Sequence, residues 1–172
     1  MNAHSSPAPL GHVASLHLHP AESGTPFEAA EEAEAVVGKG ITGDARYFGR
    51  LGRDGQPSRR HVTLMEREQI AEHAAALNLP AIAPGAVRSN IETTGGNLIA
   101  LLGREIEIGE AVLRLYAPRD PCAKMDAICQ GLRARMMDRR QGVLAEVVRS
   151  GTICVGDPIV ARGVEELKRQ KG

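Results

Sequence analysis

One cysteine, Cys122, stands in "APRDPCAKMD" between a proline and a cluster of charged residues. A thiol that only fills a core has aliphatic neighbours, whereas this one has Arg119, Asp120, Lys124 and Asp126. With Asp120 as a helix cap and Pro121 at the first helical position, the sulfur falls in the first turn. Unpaired N–H groups and the helix dipole favour an anion there. Arg119 and Lys124 push the same way, and Asp120 and Asp126 oppose them. The thiolate is the form that attacks electrophiles and takes soft metals. A half-buried thiol that fills space is the alternative reading of the same residues. Cys129 reads as structural, with a resolving thiol as its alternative, and Cys154, mid-strand in "GTICVGDPI", reads as core. The spacings 122–129 and 129–154 match no zinc pattern.

A second group lies in residues 38–60, "GKGITGDARYFGRLGRDGQPSRR", where glycines let backbone N–H groups approach an anion. Arg46, Arg50 and Arg53 supply charge, and Tyr47-Phe48 offers rings that can stack on a flat ligand. The pattern is neither a P-loop nor a dinucleotide fingerprint. Arg88 and Asn90 open a polar stretch, and a plain polar turn explains that stretch equally well. His17 and His19 share one face of a strand, where solvent-facing or hydrogen-bonded rings are the commoner case than a metal pair. His61 and His73 are the nearest candidate bases for Cys122, but they share no motif with it.

These side chains need a scaffold. "HVASLHLHP" alternates and reads as a strand. "PFEAAEEAEAVVGKG" reads as a short helix, with Pro26 near its start and Gly38 as its stop. "HVTLMEREQIAEHAAALN" reads as a strand running into a helix that ends near Asn78. "EIEIGEAVLRLY" reads as a hairpin turning at Gly109-Glu110. "DAICQGLRARMMDRRQG" reads as a helix with Ile128, Leu132 and Met136 as its buried stripe. "VLAEVVRSG" and "ICVGDPIVA" close the chain as strands. Strands joined by short turns, with a few helices, predict a mainly β (α+β) fold: a closed or partly closed antiparallel β-barrel. Residues 11–163 read as one domain, 1–10 as a disordered tail and 164–172 as a solvated tail.

The chain has 172 residues, 42% hydrophobic, enough for a core, and a formal net charge of zero. That balance gives no reason to expect nucleic-acid or membrane-surface binding. The charge is segregated, however: residues 39–60 carry six bases against two acids, and 119–140 six against three. Both basic segments are free to converge on an anionic ligand. No stretch approaches the roughly 18 apolar residues of a membrane span. The first residues lack the charged and apolar regions of a secretory signal, and three cysteines make an odd count. Both observations predict free thiols in a cytoplasmic protein.

Taken in order, "GKGITGDARYFG", "HVTLMERE", "RSNIETTGGNLIALLGREIEIGEAVLRLYAPRDPC" and "VLAEVVRSGTICVGDPI" resemble the MOSC domain, named for the C-terminal domain of molybdenum-cofactor sulfurase. The resemblance covers residues 12–161 and implies a strongly bent β-barrel in a stand-alone member. It implies molybdenum cofactor, a pterin bearing a phosphate, or sulfur carried as a persulfide. Cys122 matches the motif cysteine, as molybdenum ligand or persulfide carrier, and Arg88 and Asn90 match the central polar segment. Together with Arg46, Tyr47, Arg119 and Lys124 from the reading of the residues themselves, the expected cofactor-binding set is Arg46, Tyr47, Arg88, Asn90, Arg119 and Lys124. The implied partner is an electron-transfer protein supporting reduction of N-hydroxylated compounds, or a cysteine desulfurase for a sulfur carrier. A binding module for a phosphorylated ligand, with the cysteine incidental, is the third reading.

Overall fold

The computed structural model describes residues 6–163. Strands β1 (Gly11–Leu18), β2 (Glu28–Ala30), β3 (Glu32–Val36), β4 (Gly40–Ile41) and β5 (Val62–Glu66) lead into helix α1 (Arg67–Ala76). Strands β6 (Ile91–Thr94), β7 (Glu105–Ile108) and β8 (Ala111–Pro118) follow, then helix α2 (Leu132–Arg135). Strands β9 (Val143–Arg149), β10 (Gly151–Cys154) and β11 (Pro158–Ala161) end the described chain. The main sheet runs β11-β7-β8-β9-β5-β6-β1-β2, and pairing of β1 with β11 closes its first seven strands into a barrel. A separate small sheet has the order β10-β3-β4. The expected antiparallel barrel is therefore mixed, because β5 and β6 run parallel. A parallel pair needs a crossover, and the segment containing α1 supplies it.

Leu64, Ile91, Ile106, Leu113, Leu115, Val143 and Ala145 fill the barrel interior. A second apolar cluster lies on the outer face of β5, where Met65 meets Ile70 and Ala74 of α1. Hence β5 is buried along its whole length rather than alternating. This outer cluster also takes in Val87 and Met125. Those two residues neighbour Arg88 and Lys124, so one patch of packing anchors both the 82–89 loop and the turn that follows Cys122.

Two expected helices are corrected. Residues 28–36 form β2 and β3, not a helix. Ala33 and Ala35 are buried while Glu32 and Glu34 are exposed, and the register sets Ala35 against Gly151 and Ala30 against Leu16. Alanine and glutamate favour helices in isolation, but cross-strand pairing outweighs that preference. Of the helix expected over 126–142 only the four-residue α2 forms, and a 3-10 turn at Ala123–Met125 precedes that stretch. Gly131, Asp138 and Arg139 adopt positive φ and interrupt it. Leu132 and Met136 are nonetheless fully buried, so the apolar stripe survives the loss of the helix. The hairpin at Gly109 and the helix ending before Asn78 are found as expected. Cys154 is half-buried on β10 rather than in the core. Both terminal-tail readings fall largely on residues 1–5 and 164–172, outside those described.

Candidate functional site

The capping expected at Cys122 does not form. Cys122 itself occupies the N-cap position of the three-residue 3-10 turn, with extended backbone and no side-chain cap bond. So short a turn has little aligned dipole to offer a thiolate. The thiol is exposed and opens on a cleft of about 420 Å³.

The walls of this cleft are basic. Arg46 and Tyr47 reach it from the glycine-rich loop, Arg60 from the approach to β5, and Arg88 from the loop before β6. Arg119 and Lys124 flank the cysteine, with His19 and Asp120 completing the wall. A smaller compartment of about 180 Å³ adjoins it, sharing His19, Arg46, Arg88 and Lys124. None of the five cations forms an ion pair among the described residues.

Arg119 is the most telling of them. It is 7% exposed, and its guanidinium donates only to neutral acceptors: Ser89 Oγ at 2.8 Å, Val87 O at 3.1 Å and Arg88 O at 3.0 Å. Burial, reinforced by the Arg60 and Arg88 charges, pulls its pKa down to about 10. A buried charge without a counter-charge is costly, and an anionic ligand is the natural remedy. Arg60 tells the same story, since its Nε is buried without a partner. Arg50 and Arg53, expected to join this set, instead line a neighbouring recess of about 350 Å³ with Tyr47 and Arg60.

Beneath the floor lies Asp44, whose carboxylate gathers five donors. Oδ2 accepts from His19 N at 3.0 Å, His19 Nδ1 at 2.7 Å and Asn90 Nδ2 at 2.8 Å. Oδ1 accepts from the backbone N–H groups of Arg46 at 3.1 Å and Tyr47 at 2.9 Å. Burial alone would raise the Asp44 pKa, but the hydrogen bonds from His19 and the backbone bring it below the ordinary carboxylate value. Asp44 thereby ties β1, the glycine-rich loop and the start of β6 into one unit.

Two expectations about individual residues change. Asn90 is fully buried: its amide donates to His17 O and Asp44, and its Oδ1 accepts from Thr63 N and Oγ1. Every polar atom is used internally, so Asn90 holds the floor and does not touch a ligand. Tyr47 is 5% exposed, with Arg46 and Arg60 lying 5.8 and 5.1 Å from its ring centre. Its ring is therefore a perch for arginines rather than a free stacking surface. Arg46, Arg88, Arg119, Cys122 and Lys124 are brought together as the sequence suggested, whereas Cys129 is not on the cleft wall.

Four histidines are buried, and residue type alone does not rank them. His17 bonds Ser15 Oγ, His61 accepts from Val147 N–H, and His73 bonds Arg140 O. Only His19 among these four reaches the cleft. Its position just past the end of β1 depends on Asp44, 25 residues away. Burial lowers the pKa of all four below 6.5. Between that lowered value and 6.5 the unfolded chain binds more protons than the folded one, so stability rises with pH across the window. The urea midpoint is expected to hold steady above about pH 7 and to fall steadily below about pH 6.5. A midpoint unchanged down to about pH 5 contradicts this reading of the buried rings.

Arg88 carries a strained backbone, with φ of 63°. Its guanidinium stacks 4.6 Å from the Phe27 ring, and its carbonyl accepts from Arg119. Glycine relieves that strain and keeps the carbonyl, so Arg88→Gly is expected to leave unfolding free energy within about 1 kcal/mol of the unsubstituted protein. It is expected to weaken pyrophosphate binding roughly tenfold, the worth of one charge-assisted hydrogen bond. Calorimetric titration beside urea unfolding separates the two effects.

The MOSC domain family model matches residues 27–160. No curated protein matches the chain. Among solved structures, the YuaD protein from Bacillus subtilis superposes with a TM-score of 0.72 at 19% identity, covering 87% of this chain and 93% of that one. YiiM from Geobacillus stearothermophilus gives 0.68 at 16% identity, covering 89% and 75%. YiiM from Escherichia coli gives 0.63 at 18%, covering 88% and 70%. At such identities the likeness is one of fold, and the family match carries the assignment: the chain belongs to the MOSC domain family.

Proposed function

We propose that the cleft binds molybdenum cofactor, with Cys122 as the protein's ligand to the metal. The observation that carries the reading is an exposed thiol among five cations that form no ion pair among the described residues. MOSC domains are associated with this cofactor, and the residues fit it. A soft thiolate suits molybdenum, while Arg46, Arg88, Arg119 and Lys124 suit a phosphate. Among the described residues no three His, Cys, Asp or Glu side chains converge on one point. A metal here therefore requires ligands brought by a cofactor. When bound, the group supplies the redox chemistry, in this proposal the reduction of N-hydroxylated bases with electrons from a partner protein. The chain's own contribution is to neutralise the phosphate, hold the thiol at the cleft and position the loop through Asp44.

Protein isolated from a host that makes the cofactor is expected to contain close to stoichiometric molybdenum, and Cys122→Ser to lose most of it. Elemental analysis decides, and absence of metal from both proteins rejects the proposal. The exposure of Cys122 also favours a second reading, a persulfide carrier charged by a cysteine desulfurase. Intact-mass measurement after incubation with a desulfurase and cysteine then shows one added sulfur, absent in Cys122→Ser.

A further inference from the structure

His19 is built into the cleft in a way that the cofactor's anchorage does not require. Its Nδ1 lies 2.7 Å from Asp44 Oδ2, an acceptor, so the neutral ring carries its proton on Nδ1 and a bare lone pair on Nε2. That second nitrogen has no hydrogen-bond partner among the described residues. Nor is it fully enclosed, and the ring lines both compartments of the cleft. The ring is fixed in place by Phe27, 4.1 Å away between centroids, and by the edge of Tyr47 at 4.8 Å. Strength of orientation and an open nitrogen together are what a proton-transfer group needs.

We propose that His19 is the proton donor of the cleft: Nε2 takes a proton from solvent, and the resulting imidazolium passes it to the oxygen that leaves when an N–O bond is reduced there. The role rests on the N–O reduction reading given above. The substrate R–NH–OH takes up two electrons from the partner protein and two protons, and becomes R–NH2 and water. The N–O bond breaks, nitrogen is reduced, and the hydroxyl oxygen leaves with the proton from Nε2. The second proton reaches nitrogen from solvent, and solvent then reprotonates Nε2. The surroundings favour giving the proton away. Arg46 and Arg88 face the ring with positive charge, Lys124 and Glu22 sit at the rim of the smaller compartment, and Asp44 keeps Nδ1. Burial also holds the ring's pKa below its ordinary value, which makes the imidazolium a stronger acid.

The test joins a spectroscopic and a kinetic readout. In the cofactor-free protein, nitrogen NMR is expected to show His19 protonated at Nδ1 near neutral pH, with Nε2 taking the titrating proton. An Nε2 that takes up no proton on acid titration overturns the proposal without any variant being made. In molybdenum-loaded protein reducing an N-hydroxylated adenine with reduced viologen, His19→Ala is expected to lower kcat about 100-fold with metal content unchanged. Added imidazole is expected to restore part of the rate, which a merely structural role would not allow. Full kcat in metal-loaded His19→Ala overturns the role alone. Failure of the loaded, unsubstituted protein to reduce the substrate overturns the underlying function, and this role with it.

Discussion

Asp44→Ala is expected to lower unfolding free energy by about 3–5 kcal/mol, the scale of breaking a buried, fully bonded charge. The carboxylate serves five donors from three separate chain segments. Alanine leaves the His19, Asn90, Arg46 and Tyr47 N–H groups without acceptors. Each buried donor left so costs on the order of 1–3 kcal/mol before the loop relaxes. The loop does relax, and the arginines it carries leave the cleft with it. Pyrophosphate affinity is therefore expected to fall together with the urea midpoint, unlike the separation expected of Arg88→Gly. Asp44→Asn recovers little, because its amide N–H faces donors. Where it folds, the natural accommodation is for His19 to accept at Nδ1 and carry its proton on Nε2, which nitrogen NMR reads directly. A variant Asp44→Ala as stable as the unsubstituted protein contradicts the role given to this residue.

The second large effect is expected at Gly142. Its φ is 71°, and a Cβ there would collide with the Leu64 carbonyl oxygen and lie 2.9 Å from Met65 Cα. Neither obstacle is a flexible side chain, because both belong to the β5 backbone. Alanine must push apart the β5–β9 ladder, whose register pairs Leu64 with Val143. Gly142 O also accepts from Arg119 N at 3.0 Å, so the strain reaches the cleft. We expect Gly142→Ala to cost more than about 3 kcal/mol, since steric displacement adds to the left-handed backbone penalty. Gly103 is the control. Its φ of 84° is similar, but a Cβ there meets nothing within 4 Å. Gly103→Ala is expected to cost only about 1 kcal/mol. Equal losses at the two positions contradict the collision argument.

Much of the barrel could be read from the sequence because its signals are local. The alternation of Ile106 and Ile108 against Leu113 and Leu115, with Gly109 at the bend, contains the whole hairpin within a few residues. The same holds for β5 running into α1. The cations around Cys122 were legible because residue type alone announces their chemistry. What failed depends on partners distant in sequence. "EAAEEAEAVV" has helix-forming residues, and only its pairing with β1 and β10 makes it two strands. The E-A-E-A alternation is a period-two signal, in conflict with the helix propensity of the same residues. The helix over 126–142 failed because left-handed turns at Gly131, Asp138 and Arg139 divide it. Asn90 has a polar side chain at a motif position, yet its contacts with Thr63, His17 and Asp44 bury it. His19 was missed as a site residue because its meaning comes from Asp44, and nothing in their spacing joins them.

The central claim is that the Cys122 sulfur meets molybdenum in the basic cleft. Crystals of protein from a cofactor-producing host, measured on both sides of the molybdenum absorption edge, test it most directly. The account predicts one anomalous peak within bonding distance of Cys122 Sγ, with phosphate density against Arg46, Arg88 and Lys124. A molybdenum peak elsewhere, or one in the cleft beyond bonding reach of that sulfur, contradicts it.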